Sequence, residues 1–182
     1  MEKAESIIVG EGLDPPLTLK KGGRKKVTYY ARKSARIPNY DYASYHYYFV
    51  TICTHNRRCI FGSPEQLNEM GTIAREEIQK ISLHYNSVHV DHFVVMPNHI
   101  HMIVILEGNG PNLNQVIAQY KSGVTRRIRG IITDISVWQR SYHDHVIRNQ
   151  REYEKIWNYI EGNPLNWNKD CFFVDSAQYH QV

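Results

Sequence analysis

A chain of 182 residues with 42% hydrophobic content and a net charge of +4 is long enough for one domain with extensions and a sizeable core. No apolar run approaches the roughly 20 residues that span a bilayer. The opening Met-Glu-Lys-Ala-Glu lacks the charged-then-apolar order of a signal peptide, so a cytoplasmic protein without a membrane partner is expected. The three cysteines (Cys53, Cys59, Cys171) are odd in number and form no Cys-x-x-Cys pair, which excludes a disulfide framework or cysteine zinc knuckle and suits a reducing compartment.

Residues 1 to about 19 carry Gly10, Gly12, Pro15 and Pro16 and read as a flexible leader. From Lys20 to Arg36 follow eight basic residues and no acid, with Tyr29 and Tyr30 inside the run. Such a block is either a solvated tail or an arm that neutralises phosphates and stacks tyrosines on bases. The two are compatible, because an arm can order only on meeting nucleic acid. Tyr47 to Thr54, aromatic and β-branched, predicts a first strand, with Asn56-Arg57-Arg58 in the loop after it. Ser63-Pro64-Glu65 predicts the start of a helix, and Leu67, Met70, Ile73, Ala74, Ile78 and Ile81 carry it at three- and four-residue steps to about His84. Gly71 weakens this helix slightly.

Val88–Met96 and His99–Leu106 predict two strands joined tightly through Pro97-Asn98, a hairpin. On the second of these, alternation sends His99 and His101 to one face, roughly 7 Å apart along the backbone, and Ile100 to the opposite face and a core. Two same-face imidazoles are half of a metal site, although a bare His-x-His at a strand edge is more often a pair of solvated polar residues. A second helix is predicted from Leu113 to Arg129. Leu113, Val116, Ile117, Tyr120, Val124 and Ile128 form its apolar face, and Lys121, Arg126, Arg127 and Arg129 lie on its other side. Val137–Ile147 reads as largely extended and supplies a fourth strand. Gln150–Gly162 reads as a third helix closed by Gly162 and Pro164. The order β-α-β-β-α-β predicts an α+β, ferredoxin-like sandwich, an antiparallel sheet with helices on one face, plus an added C-terminal helix.

On that last helix Tyr153, Ile156, Trp157 and Ile160 make the buried stripe, and Tyr159 falls about 110° from its centre, on the shoulder. Asn163 is four residues further along the same side, although Pro164 disfavours helical geometry at the residue before it. Together His99, His101 and Asn163 offer two imidazole nitrogens and an amide oxygen to one divalent ion. This set is poor in charge and suits an ion that also binds a phosphate oxygen. Tyr159 is then the candidate nucleophile: tyrosyl attack on a phosphodiester gives a phosphotyrosine and a free sugar hydroxyl, and needs no nucleotide triphosphate or P-loop. His143-Asp144-His145 on the fourth predicted strand is a rival metal pair, in which Asp144 or a neighbour adds the oxygen.

Arg32-Lys33-Ser34 through Tyr42, Tyr48 through Thr54, Met96-Pro97-Asn98-His99-Ile100-His101, Trp138 through Arg148 and Tyr159-Ile160-Glu161-Gly162-Asn163-Pro164 give the chain a family likeness. Over about residues 32–167 it resembles the single-tyrosine HUH transposases. Among them it most resembles the REP-associated tyrosine transposases, related to the insertion-sequence 200/605 class. The resemblance implies His99 and His101 as the metal pair, Tyr159 as the nucleophile and Asn163, where many of the wider class carry Gln, as the residue completing the site. It also implies Mg²⁺ or Mn²⁺ as cofactor, a 5′-phosphotyrosine intermediate, and a single-stranded DNA substrate carrying a REP-like hairpin. A flexible leader and basic arm over 1–40, a catalytic domain over 41–170 and a tail over 171–182 are expected, in a monomer or homodimer. The arm residues Lys25, Lys26, Arg32, Lys33 and Arg36, with Lys121, Arg126 and Arg127, are the expected DNA contacts. A ferredoxin-like domain that binds single-stranded nucleic acid without cutting it is the competing reading, favoured by the arm and by Tyr47, Tyr48 and Phe49 but giving the histidine pair no use.

Overall fold

The structure, a computed structural model, describes residues 46–174. The leader and the arm residues Lys25, Lys26, Arg32, Lys33 and Arg36 lie outside the described residues. Four strands, β1 (His46–Cys53), β2 (Val88–Met96), β3 (His99–Leu106) and β4 (His143–Ile147), form one sheet in the order β2-β3-β1-β4. Every neighbouring pair is antiparallel. With α1 (Glu69–Gln79) between β1 and β2, and α3 (Leu113–Arg129) between β3 and β4, this is the expected ferredoxin-like α+β arrangement.

Strand alternation gives the sheet two apolar faces. Tyr48, Val50, Ile52, Ile100, Met102 and Val104 point to one, where α1 and α3 cover them with Ile73, Ala74, Ile78, Leu113, Val116, Ile117, Val124 and Ile128. Phe49 and Ile103 point to the other, where α4 (Gln150–Gly162) lays down Ile156 and Ile160. Burying each of those isoleucines contributes about 1.5–3 kcal/mol towards holding α4 on the sheet. A bulge at Asp91, between the pairs Val90↔Val104 and His92↔Ile103, adds a polar fastening there. Tyr153 Oη donates to Asp91 Oδ2 at 2.6 Å, and the His92 ring stacks on Trp157 at 4.3 Å.

Two boundaries differ from the sequence expectation. The first helix starts at Glu69, because Asn68 and not Ser63 caps it: Asn68 Oδ1 accepts from Gly71 N at 2.9 Å and Asn68 Nδ2 donates to the Ile60 carbonyl. Ser63 closes a turn instead, and Gly62 pairs with Leu67 in an isolated bridge. Gly71 follows from that geometry, since a Cβ there would stand 2.2 Å from the Phe61 carbonyl oxygen. The helix is also interrupted at Lys80 before a short α2 (Ile81–His84). The fourth strand is confined to His143–Ile147. The stretch before it sends Ile135, Val137, Trp138 and Tyr142 into the main core, and Trp138 Nε1 donates to the Lys121 carbonyl at 3.1 Å.

Candidate active site

The two-residue turn Pro97-Asn98 places His99 at the first position of β3, opposite Met96 on β2 and Cys53 on β1. His101 stands opposite Val94 and Thr51. Both imidazoles are fully buried on the α4 face, with ring centroids 4.5 Å apart. Asn98 Nδ2 donates to the carbonyls of Arg57 (3.2 Å) and Phe172 (2.8 Å), which fixes the orientation of the amide. Its Oδ1 therefore faces His99 Nδ1, at 2.9 Å, and makes that nitrogen the protonated one. Thr51 Oγ1 lies 2.9 Å from His101 Nδ1 in the same way. Both Nε2 atoms are thereby left to face the site.

Burial holds both imidazoles below the usual histidine range, His99 at about 3 with the Arg57 charge as the second cause. Unfolding returns each ring to about 6.5, so below that value the unfolded chain takes up protons that the folded chain refuses. The contribution of His99 to stability is therefore full above pH 6.5 and falls towards pH 3 with a slope approaching about 1.4 kcal/mol per pH unit, and His101 acts in the same direction. Urea midpoints measured at pH 7.5 and 5 without added metal check this; equal midpoints would contradict neutral burial.

Tyr159 comes from α4, half-buried as its shoulder position predicts. Its hydroxyl lies 3.3 Å from His101 Nε2 and 3.4 Å from Asp170 Oδ2, and its ring meets the edge of Phe49. Burial, then the nearby Asp170 carboxylate, pushes this phenol well above the ordinary tyrosine value. Asn163 keeps helical geometry (φ −60°, ψ −43°) despite Pro164, because the chain continues into a 3₁₀ turn over Pro164–Lys169. Its side chain is buried, and Nδ2 donates to Asp170 Oδ2 at 2.8 Å.

Asp170 is the site residue that the sequence reading missed. One ligand atom each from His99, His101 and Asp170 lie within 4.8 Å of one another. Asp170 is held by the Phe172 amide, which donates to Oδ1 at 2.7 Å. Two buried acceptors in this constellation, His99 Nε2 and Asn163 Oδ1, have no hydrogen-bond partner among the described residues. Orphaned acceptors beside a carboxylate fit a cation better than any neutral ligand. Two imidazoles, an amide oxygen and a carboxylate make a nitrogen–oxygen donor set for a divalent ion.

The rival pair sits elsewhere. His143 and His145 are exposed on β4, and His143 pairs with Thr51, two strand spacings or about 10 Å from His101. His145 Nε2 lies 2.6 Å from Glu152 Oε1 at the start of α4. Of the basic residues on α3, Lys121 donates to the Gln139 carbonyl at 2.6 Å, and Arg127 donates to Glu76 and Glu77 on α1. These two, with Arg126, belong to the helical layer on the opposite face of the sheet from the histidine pair. The three cysteines form no disulfide, and burial pushes the Cys53 thiol up to about 11. No helix among the described residues is long and apolar enough to cross a membrane.

A sheet of this topology with paired imidazoles under a tyrosine-bearing helix defines a class. The chain matches the family described as Transposase IS200 like over residues 42–163 and belongs to it. Within that family its likeness is to REP-associated tyrosine transposases. A solved structure of one, bound to a REP hairpin, superposes with a TM-score of 0.58 at 25% identity, covering 72% of this chain and 73% of that one. A Haemophilus influenzae protein provisionally named a REP-associated tyrosine transposase is 28% identical over 81 residues, 39% of this chain and 46% of that protein. An uncharacterised protein of the same organism is 33% identical over 169 residues, 79% of this chain and 94% of its own length.

Proposed function

We propose that this transposase cuts and rejoins single-stranded DNA through a 5′-phosphotyrosine on Tyr159, with Mg²⁺ or Mn²⁺ held by His99, His101, Asn163 and Asp170. The observation that carries the reading is the approach of the Tyr159 hydroxyl to His101 Nε2 beside two buried acceptors, His99 Nε2 and Asn163 Oδ1, that are unpartnered among the described residues. The bound ion supplies a Lewis acid for a phosphate oxygen.

The chain's own groups supply the rest. The phenol gives up its proton to Asp170 Oδ2, the acceptor within its reach that keeps a lone pair to spare once His101 Nε2 is committed to the ion. The tyrosyl oxygen then forms a bond to phosphorus, the bond from phosphorus to the 3′ oxygen breaks, and that oxygen takes a proton to leave a 3′-hydroxyl. One phosphate ester replaces another, so a later attack by a 3′-hydroxyl on the phosphotyrosine rejoins the strand and returns the phenol. Buried neutral imidazoles suit metal ligation, which needs the unprotonated ring. The similar transposase solved with a REP hairpin supports a hairpin of that kind as the substrate here.

Incubation with a hairpin oligonucleotide bearing single-stranded flanks and Mn²⁺ should give a protein–DNA adduct that survives SDS, and Tyr159→Phe should give none. A non-cutting single-stranded-DNA-binding domain would retain the oligonucleotide without any adduct from either protein. An adduct of undiminished yield from Tyr159→Phe would move the nucleophile to another residue.

A further inference from the structure

The loop after β1 carries Asn56-Arg57-Arg58, which the reaction above leaves unused. Arg57 lies over the Phe172 ring, its guanidinium carbon 5.0 Å from the centroid, and that ring is in turn 4.6 Å from His99. The cation therefore stands one ring's breadth beyond an imidazole of the site. Arg127, on the other face of the sheet, is neutralised by Glu76 and Glu77, whereas among the described residues no carboxylate lies within ion-pair distance of Arg57.

Its placement is built into the backbone. Asn56 (φ 53°) and Arg57 (φ 55°) both adopt the left-handed conformation that residues with a Cβ avoid. The turn is secured on either side: Arg57 N donates to the Thr54 carbonyl at 3.1 Å, and Thr54 Oγ1 donates to the Arg58 carbonyl at 2.8 Å. Asn98 Nδ2 donates to the Arg57 carbonyl, and the same side chain holds the Phe172 carbonyl and His99 Nδ1. The cation, its aromatic platform and the imidazole thus share one anchor. A half-exposed arginine fixed beside a proposed site for a phosphodiester, with no carboxylate at ion-pair distance among the described residues, has a guanidinium that can take two phosphate oxygens at once.

We infer that Arg57 binds a backbone phosphate of the strand that Tyr159 cuts, a substrate-binding role that rests on the reaction proposed above. Affinity of the 182-residue chain for the flanked hairpin is measured against NaCl concentration in a Tyr159→Phe background, where no cleavage disturbs the equilibrium. Arg57→Gln should weaken binding about tenfold and reduce the magnitude of the log–log salt slope by about 0.7–0.9, the loss of one phosphate contact. Arg57→Lys should restore the slope, because it keeps the charge. A purely structural Arg57, packed on Phe172, leaves the slope of Arg57→Gln at the parent value, and that result overturns the inference. The readout is independent of chemistry: no adduct from the parent chain sinks the cutting reaction, whereas an adduct with an unchanged slope sinks Arg57 alone.

Discussion

His101→Ala should lower the rate of adduct formation by at least about 100-fold, the upper end of what loss of a supporting residue around a metal costs. The side chain is fully buried, with Thr51 at Nδ1, Tyr159 at Nε2 and the Phe49 ring stacked at 5.2 Å. Removing it takes away a proposed ion ligand and the contact that meets the phenol, and it also leaves a cavity beside Phe49. His101→Gln fills that space while changing the donor, so adduct yield and Mn²⁺ calorimetry on both variants separate lost chemistry from lost packing. His143→Ala is the counterpart. That ring is exposed on β4, two strands away, and its removal should keep most of the yield. If His143→Ala abolished the adduct and His101→Ala spared it, the site would belong to the second pair.

Asp170→Asn should act in two opposite directions. Without its carboxylate the ion site loses its negative charge, and Mn²⁺ affinity should fall by about 10- to 100-fold. In ion-free protein, however, the same change removes a charge that opposes ionisation of Tyr159, so the phenol should titrate at lower pH than in the parent. Calorimetry reads the first effect, and NMR of carbon-labelled tyrosine, assigned with Tyr159→Phe, reads the second. An unchanged affinity together with an unchanged titration would remove Asp170 from the site.

Asp170 also marks where sequence reading stops. The first three strands were legible as aromatic and β-branched runs, and α3 and α4 because their apolar residues repeat at a period of 3.6, both helices running between the predicted residues. His99, His101 and Tyr159 were legible as candidates because each sits on such an element, where spacing fixes direction; Asn163 lies one residue past α4, and Pro164 left its direction open. Asp170 follows a 3₁₀ turn after Pro164, with no period to say which way it points; a carboxylate a few residues beyond Asn163-Pro164 was the one available signal. The start of α1 was misplaced because Ser63-Pro64 is a good local signal that a tertiary contact overrides, Asn68 being tied to Ile60. The partners of Arg127 were hidden for a similar reason. Glu76 and Glu77 are distant in sequence and meet it only when α1 and α3 share a layer.

The constellation is built in two separable halves. His99 and His101 are fixed in the middle of the sheet, while Tyr159, Asn163 and Asp170 follow one another along the run formed by α4 and its 3₁₀ extension. Lifting that run off the sheet would separate Tyr159, Asn163 and Asp170 from the two histidines in a single motion. A partly undocked molecule would then lose the proposed nucleophile and the oxygen ligands of the proposed ion together, and would be disarmed rather than loosely active.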